Sequence, residues 1–254
     1  MQDEIILIDK PSGMTSFGVV ARVRRVLSKQ AGKKVKVGHC GTLDPFATGL
    51  LILVSGKMTR KAMEFTKLDK VYEAEFVLGQ VSTTGDPEGE ITSYCRPDSP
   101  LAAQKRRRVA SQSEHSSSAT RAADVSEQQE APRPTLLQIE EVLKRFTGEI
   151  TQRPPVFSAI KINGQRAYKL AREGKEVEIP ERQVTVFSFE LLDYAYPSLR
   201  IRTHVSSGTY IRSLAVDIGT ALGTGAYCRE LRRTKIADWD VADAKRLTDF
   251  GVTD

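Results

Sequence analysis

The residues best suited to chemistry lie in one stretch, Gly38-His39-Cys40-Gly41-Thr42-Leu43-Asp44-Pro45-Phe46-Ala47-Thr48-Gly49. It is polar and glycine-rich, and an apolar run from Leu50 to Val54 follows it directly. An acid on a loop that a rigid element supports is a usual arrangement for catalysis, and a carboxylate so placed can attack carbon covalently. Pro45 biases Asp44 away from helical backbone. Gly38, Gly41 and Gly49 open conformations closed to other residues. Spacing alone leaves a plainer alternative, a structural loop in which Asp44 caps a turn.

The flanking elements must hold that loop. Ile5 to Asp9 and Leu50 to Val54 read as buried strands. Ser16 is a candidate N-cap for a helix over Phe17 to Lys29, whose apolar stripe is Val19, Val23, Val26 and Leu27. Arg22, Arg25 and Lys29 fall on another face, either as phosphate contacts or as a solvated surface. Lys57 to Lys67 reads as helical. Val71 to Leu78 alternates, with Tyr72, Ala74, Phe76 and Leu78 on one face and Glu73 and Glu75 on the other. Leu136 to Phe146 reads as a helix ending near Gly148. Val184 to Tyr194 and Leu199 to Val205 read as paired strands turning at Pro197. A helix over Thr209 to Leu222 stops at Gly223, and Ala226 to Leu231 returns as a strand. Strands interrupted by helices at irregular spacing predict an α+β fold with a mixed sheet.

Composition narrows the classes. The chain has 254 residues and a formal net charge of +6, with 40% hydrophobic and 28% charged residues. That length buries a core without disulfide or metal staples, and the charge favours polyanionic partners. No apolar run approaches the roughly 20 residues of a membrane span, and no secretory signal is apparent. Cys40, Cys95 and Cys228 are isolated, so neither a disulfide framework nor a zinc site is expected, and a reducing, cytoplasmic location fits. From Arg96 to Arg133 the chain is rich in Ser, Gln, Ala and charge and has no aromatic residue. Such a stretch cannot bury enough apolar area to offset its ordering entropy, and it reads as a flexible insertion. It holds seven Lys or Arg against five Asp or Glu, so most of the net charge belongs to the rest of the chain. The expected organisation is one domain over 1–95 and 134–254, interrupted by the 96–133 insertion.

The Gly38 to Gly49 stretch resembles the catalytic motif of the TruB family of tRNA pseudouridine synthases. Further motifs support the resemblance. Lys10-Pro11-Ser12-Gly13-Met14-Thr15-Ser16 is similar to the family's N-terminal motif, and Lys70-Val71-Tyr72 to the motif with its active-site tyrosine. Arg153 to Lys161, followed by Gly164, Tyr168, Ala171, Arg172 and Gly174, resembles a third segment. Gly208-Thr209-Tyr210-Ile211-Arg212 and Leu231-Arg232-Arg233 complete the set, in the family's order. The resemblance implies the pseudouridine synthase fold, with a central mixed, mostly antiparallel sheet flanked by helices and loops, as a catalytic domain over 1–95 and 134–254 with no separate C-terminal RNA-binding domain of the kind most members carry. It also implies isomerisation of a uridine, the family's usual one being position 55 in the TΨC loop of tRNA. The uracil leaves its sugar, turns and rejoins through carbon, with no cofactor and no metal.

The resemblance also implies residue roles. Asp44 is the catalytic aspartate, acting on sugar or base or by electrostatics. Arg212 is its ion-pair partner, expected to keep it ionised by lowering its pKa. Tyr72 stacks on the target uracil, where pattern alone also allows a core tyrosine. His39 fills the space the flipped base vacates, with a general base or a structural histidine as competing readings. Tyr210 and Leu231 line the uracil pocket, although pattern alone makes Leu231 plain core. Lys10 and Pro11 support the catalytic loop. The implied partner is the tRNA T-arm, with a monomer as the family's usual form and no membrane. Another structured RNA as target, and an RNA chaperone whose binding matters more than turnover, are the alternatives. Cys40 stands where the family commonly has threonine, and Phe157 where it has tyrosine.

Overall fold

The computed structural model describes residues 3–94, 133–158, 160–162, 165–166 and 179–252. The insertion from Arg96, apart from Arg133, lies outside the described residues, as do Gly164, Tyr168, Ala171, Arg172 and Gly174. The strands in chain order are β1 (Ile5–Lys10), β2 (Val37–Cys40), β3 (Thr48–Ser55), β4 (Lys70–Leu78), β5 (Gln80–Ser82), β6 (Ile91–Ser93), β7 (Gly148–Gln152), β8 (Lys161–Ile162), β9 (Gln165–Arg166), β10 (Arg182–Ala195), β11 (Ser198–Val205), β12 (Ala226–Ile236) and β13 (Trp239–Asp240). The helices are α1 (Ser16–Gln30), α2 (Ala62–Thr66), α3 (Leu136–Arg145) and α4 (Ile211–Ala221).

One sheet runs β1-β3-β12-β4-β11-β10-β7, with β2 paired to β3 and β13 to β12. Its β12–β3 pairing is parallel and the others are antiparallel, as the resemblance implied. The run Leu50 to Val54 is apolar at every position because both faces of β3 are covered. Leu51 and Leu53 meet Val19, Val20 and Val23 of α1, whereas Leu50, Ile52 and Val54 pack with Cys40 and Ile236. The predicted stripe of α1 is thus corrected in part: Val20 is buried and Val26 only half-buried. Further along the sheet, α3 and α4 cover Phe76, Leu199 and Ile201 with Ile139, Leu143, Leu214 and Ile218.

Two local expectations change. The cap of α1 is Thr15, whose side chain accepts from the Gly18 amide at 3.0 Å, and Ser16 is drawn into the core instead. The expected helix over Lys57 to Lys67 is a 3-10 turn over Gly56–Lys61 followed by the short α2. Strand register then sets up the site. Lys10 lies opposite Gly49, Gly49 opposite Arg233, Arg233 opposite Tyr72, and Tyr72 opposite Thr203. This row crosses β1, β3, β12, β4 and β11 and puts one residue from each of four motifs on one line. Among the described residues, no helix is long and apolar enough to cross a membrane.

Candidate active site

Asp44 lies on the loop between β2 and β3, and the N-terminal motif pins that loop on both sides of it. The Ser16 hydroxyl accepts from the Leu43 amide at 2.9 Å and donates to the Leu43 carbonyl at 3.1 Å. The buried Lys10 ammonium donates to the carbonyls of Pro11, Met14 and Pro45 at 2.7, 2.6 and 3.1 Å. Gly13 N donates to the Pro45 carbonyl at 2.9 Å, and the Ser12 hydroxyl to the Phe46 carbonyl at 3.0 Å. Residues 43, 45 and 46 are therefore held individually, and the carboxylate between them has a fixed direction. Burial, the largest influence, pushes the Lys10 ammonium down to about 8, against the pull of Asp44.

The glycines of the motif are not equivalent. Gly49 has φ +100, and a Cβ there would fall 2.3 Å from the Arg233 carbonyl oxygen, so only glycine lets β3 and β12 close at this point. Gly38 has no such need: its φ is ordinary and its Cβ position is open, contrary to the sequence expectation.

Arg212 is the second residue of α4 and is 3% exposed. Its Nε lies 2.9 Å from Asp44 Oδ2, and its Nη2 donates to Asp44 Oδ1 at 3.2 Å. The same guanidinium donates from Nη1 to Asp86 Oδ2 at 2.8 Å and to the Thr84 carbonyl at 3.1 Å, and from Nη2 to the Phe157 carbonyl at 2.9 Å. One planar fork thus bridges two carboxylates, a geometry a lysine cannot reproduce. The Asp44 side chain keeps 31% of its surface, so it remains open to a substrate while its partner is not.

The expected downward pull on Asp44 is present but does not prevail. Burial, the largest influence, pushes its carboxyl above the usual range, Arg212 draws it back, and Asp86 raises it again. The Glu88 carboxyl is raised as well, by burial and by Asp86 and Asp44. Three acids therefore share one guanidinium and the Lys10 ammonium.

Tyr72 and Leu231 lie on β4 and β12 and belong to one buried cluster with Leu43, Ala47 and Ile211. Each is buried, at 7% exposed. The Tyr72 hydroxyl accepts from Arg233 Nη1 at 3.4 Å. Arg233, 1% exposed, also donates to the Leu50 carbonyl at 2.7 Å and the Gly41 carbonyl at 3.1 Å. Tyr210 is the N-cap of α4 and is half-buried. His39 is half-buried on β2, opposite Leu53. Asp44, Arg212, Tyr72 and Leu231 thus come together around one loop and one helix end.

Asp86 escaped the sequence reading, although Asp86-Pro87 repeats the Asp-Pro dipeptide of Asp44-Pro45. In both, proline restrains the backbone of the acid before it. Arg233 stood in a quoted motif but had been given no role. Among the described residues no group of His, Cys, Asp or Glu is arranged to hold a metal.

The sheet, with its one parallel pairing, carries a loop aspartate bridged by a buried arginine, and comparison gives the family. The model of the TruB family pseudouridylate synthase N-terminal domain matches residues 24–117 and 102–211, and that of the tRNA pseudouridylate synthase B C-terminal domain matches 212–252. The chain belongs to the TruB family of pseudouridylate synthases. Residues 212–252 contain β12, which lies inside the main sheet. Curated relatives called tRNA pseudouridine synthase B include one from Endomicrobium trichonymphae, 38% identical over 99% of this chain and 93% of its own length. Another, from Chloroherpeton thalassium, is 40% identical over 97% of this chain and 88% of its own length. Among solved structures, a Cbf5-Nop10-Gar1 complex aligns with TM-score 0.62 and 30% identity, covering 96% of this chain and 52% of that one. An H/ACA RNP bound to a substrate RNA containing 2'-deoxyuridine aligns with TM-score 0.59 and 27% identity, over 96% of this chain and 51% of that one. The chain thus spans about half the length of these structural neighbours.

Proposed function

We propose that this protein isomerises a uridine of tRNA to pseudouridine, and that the uridine lies in the TΨC loop at the end of the T-arm. The observation that carries this reading is the Asp44 carboxylate, partly open and bridged by Arg212, on a loop whose Leu43 packs in one cluster with Tyr72 and Leu231. The curated relatives of similar length, all called tRNA pseudouridine synthase B, support the reaction and the tRNA substrate.

The isomerisation breaks the bond from the sugar to a ring nitrogen and forms one from the sugar to a ring carbon. A proton leaves that carbon and the nitrogen regains one, so no oxidant, reductant or water is consumed. A base inside a folded loop must first be flipped out, at a cost of a few kcal/mol that stacking and phosphate contacts offset. In this reading Tyr72 stacks on the extruded uracil, Leu231 and Tyr210 flank it, and His39 fills the gap left in the RNA. Asp44 meets the reacting nucleotide while Arg212 holds its direction. The protein acts as a cytoplasmic monomer.

The test is to incubate the protein with an unmodified tRNA transcript and to map pseudouridine chemically. Product at the T-loop uridine with the wild type and none with Asp44→Ala is expected. No product with the wild type, or full activity in Asp44→Ala, overturns the reading. A ribosomal RNA fragment modified faster than tRNA would move the target.

A further inference from the structure

Tyr210 is gripped from two directions, by the edge strand β7 and by its neighbour β10. The Gln152 side chain, on β7 and 1% exposed, bonds twice to its main chain. Its Nε2 donates to the Tyr210 carbonyl at 3.0 Å, and its Oε1 accepts from the Tyr210 amide at 2.8 Å. This closed pair of bonds fixes the backbone at the start of α4, where the helix leaves amides unpaired. Tyr210 has no capping side-chain bond of its own, so the glutamine supplies the missing restraint.

The residue opposite Gln152 in the ladder is Arg182, the first residue of β10. Its guanidinium carbon lies 4.8 Å from the centroid of the Tyr210 ring, well inside cation–π range. Arg182 Nε and Nη2 are buried and have no acceptor among the described residues. Unpaired buried donors cost stability, so this placement needs another reason than the arginine's own satisfaction.

The turn before Tyr210 is built around the same contact. Gly208 has φ +86, and a Cβ there would lie 3.3 Å from Arg182 Cζ, crowding the guanidinium against the ring. Ser206 N donates to the Thr185 carbonyl and Thr185 N to the Ser206 hydroxyl, each at 2.8 Å, stitching the turn to β10. The Ser213 hydroxyl donates to the Arg153 carbonyl at 3.0 Å, tying α4 to the residue after β7.

We infer that Gln152 and Arg182 are positioning residues that fix, respectively, the main chain and the ring of Tyr210 for the reaction. The inference rests on the reading that Tyr210 lines the uracil pocket. A ring at a pocket wall shapes the pocket only if its torsions are held, and a hinge at a helix start does not hold them. A small misplacement of a positioning group costs rate without costing affinity.

The experiment compares wild type with Arg182→Met, Arg182→Lys and Gln152→Leu, after thermal melting has confirmed that each is folded. Arg182→Met keeps the apolar stem and removes the plane, so it remains informative if Gln152→Leu fails to fold. Three quantities are measured: the ring signal of Tyr210 in 13C-tyrosine NMR, assigned by its loss in Tyr210→Phe; the single-turnover rate with saturating tRNA; and the tRNA Kd across salt concentrations. The expected result for Arg182→Met is a moved or broadened Tyr210 signal, a rate reduced about tenfold, and a Kd and salt slope unchanged within about twofold. Arg182→Lys, with charge but no planar fork, should recover only part of the rate. An unmoved Tyr210 signal overturns the inference. A weakened Kd with a shallower salt slope and an intact rate also overturns it, by making Arg182 a phosphate contact. A moved signal with an unchanged rate removes Tyr210 from the pocket, and the positioning role falls with that reading while the contact itself stands.

Discussion

Two buried arginines stand on either side of the catalytic loop, and they are satisfied in opposite ways. Arg212, at the start of α4, faces carboxylates: Asp44 at 2.9 Å and Asp86 at 2.8 Å. Arg233, on β12, has no carboxylate within ion-pair distance among the described residues, and its donors go to the Leu50 and Gly41 carbonyls and the Tyr72 hydroxyl. A buried cation without a counter-ion keeps a desolvation cost that carbonyl dipoles only partly offset. Its neighbours feel it: burial and then Arg233 push the Lys70 ammonium down to about 8. The difference separates two jobs. Arg212 bridges and orients two carboxylates, one of them the proposed reacting acid. Arg233 holds backbone and ring in place through carbonyl and hydroxyl acceptors.

The comparison is sharpened most by removing the reacting acid. Asp44→Asn should lower the rate of pseudouridine formation by about 1,000-fold or more in a mapping assay. Its thermal stability at neutral pH should equal or exceed that of the wild type. The Asp44 carboxyl is raised in the fold by burial, so ionising it opposes folding. Between the ordinary carboxylate value and the raised one, the folded state binds more protons than the unfolded state. Stability from this group therefore falls as pH rises through that window, and the asparagine removes the loss. A clear drop in melting temperature would show instead that the ion pair dominates.

Arg212→Met comes next. Breaking a buried pair leaves two carboxylates facing one another, at a cost of about 3–5 kcal/mol by denaturant titration. Arg212→Lys should fold but lose about 100-fold in rate, because one ammonium cannot bridge both acids. Asp86→Asn then acts on Asp44 through charge. With its like-charged neighbour gone, the Asp44 carboxyl shifts down, and the acid limb of the pH–rate profile should move to lower pH. An unmoved limb would deny the coupling.

Arg233→Met should be milder than Arg212→Met, about 1–3 kcal/mol, since it leaves carbonyls rather than carboxylates without a partner. Equal losses in the two variants would erase the distinction drawn here. The smallest effect concerns Lys70, whose ammonium is lowered from 10.5 to about 8. Between pH 8 and 10.5 the unfolded chain holds more of this proton than the folded one, so folding stability gains from rising pH in that window. Lys70→Met should flatten that gain in melting curves.

Much of this was legible in the chain, and the misses have physical reasons. Apolar runs, alternating patterns and helical apolar stripes located β1, β3, β4, β10, β11, β12, α1, α3 and α4, because each buries one face or two against a neighbour. Ser16 was misread as a cap because Thr15 and Ser16 are both good capping residues. Only the approach of Leu43 gives the Ser16 hydroxyl its two bonds and leaves the cap to Thr15. Gly38 was grouped with Gly41 and Gly49 by composition, yet only the latter two have positive φ. The direction of the Asp44 shift was misjudged because a guanidinium partner could be inferred from motif resemblance, whereas burial and Asp86 could not.

What the sequence determined by itself is local: the strand and helix patterns, the Gly38 to Gly49 loop with its acid before proline, and the ordered motifs that mark the family. Those signals reside in neighbouring residues and their periodicities. The tertiary structure alone decided which distant groups meet. Lys10, Gly49, Arg233 and Tyr72 fall on one line only because strand register aligns β1, β3, β12 and β4. Asp44 and Asp86 share Arg212 from across the fold, 168 and 126 residues away in the chain. No local propensity encodes such a meeting. It follows from packing a sheet and a helix around one core, and the upward shift of the Asp44 carboxyl follows from that burial.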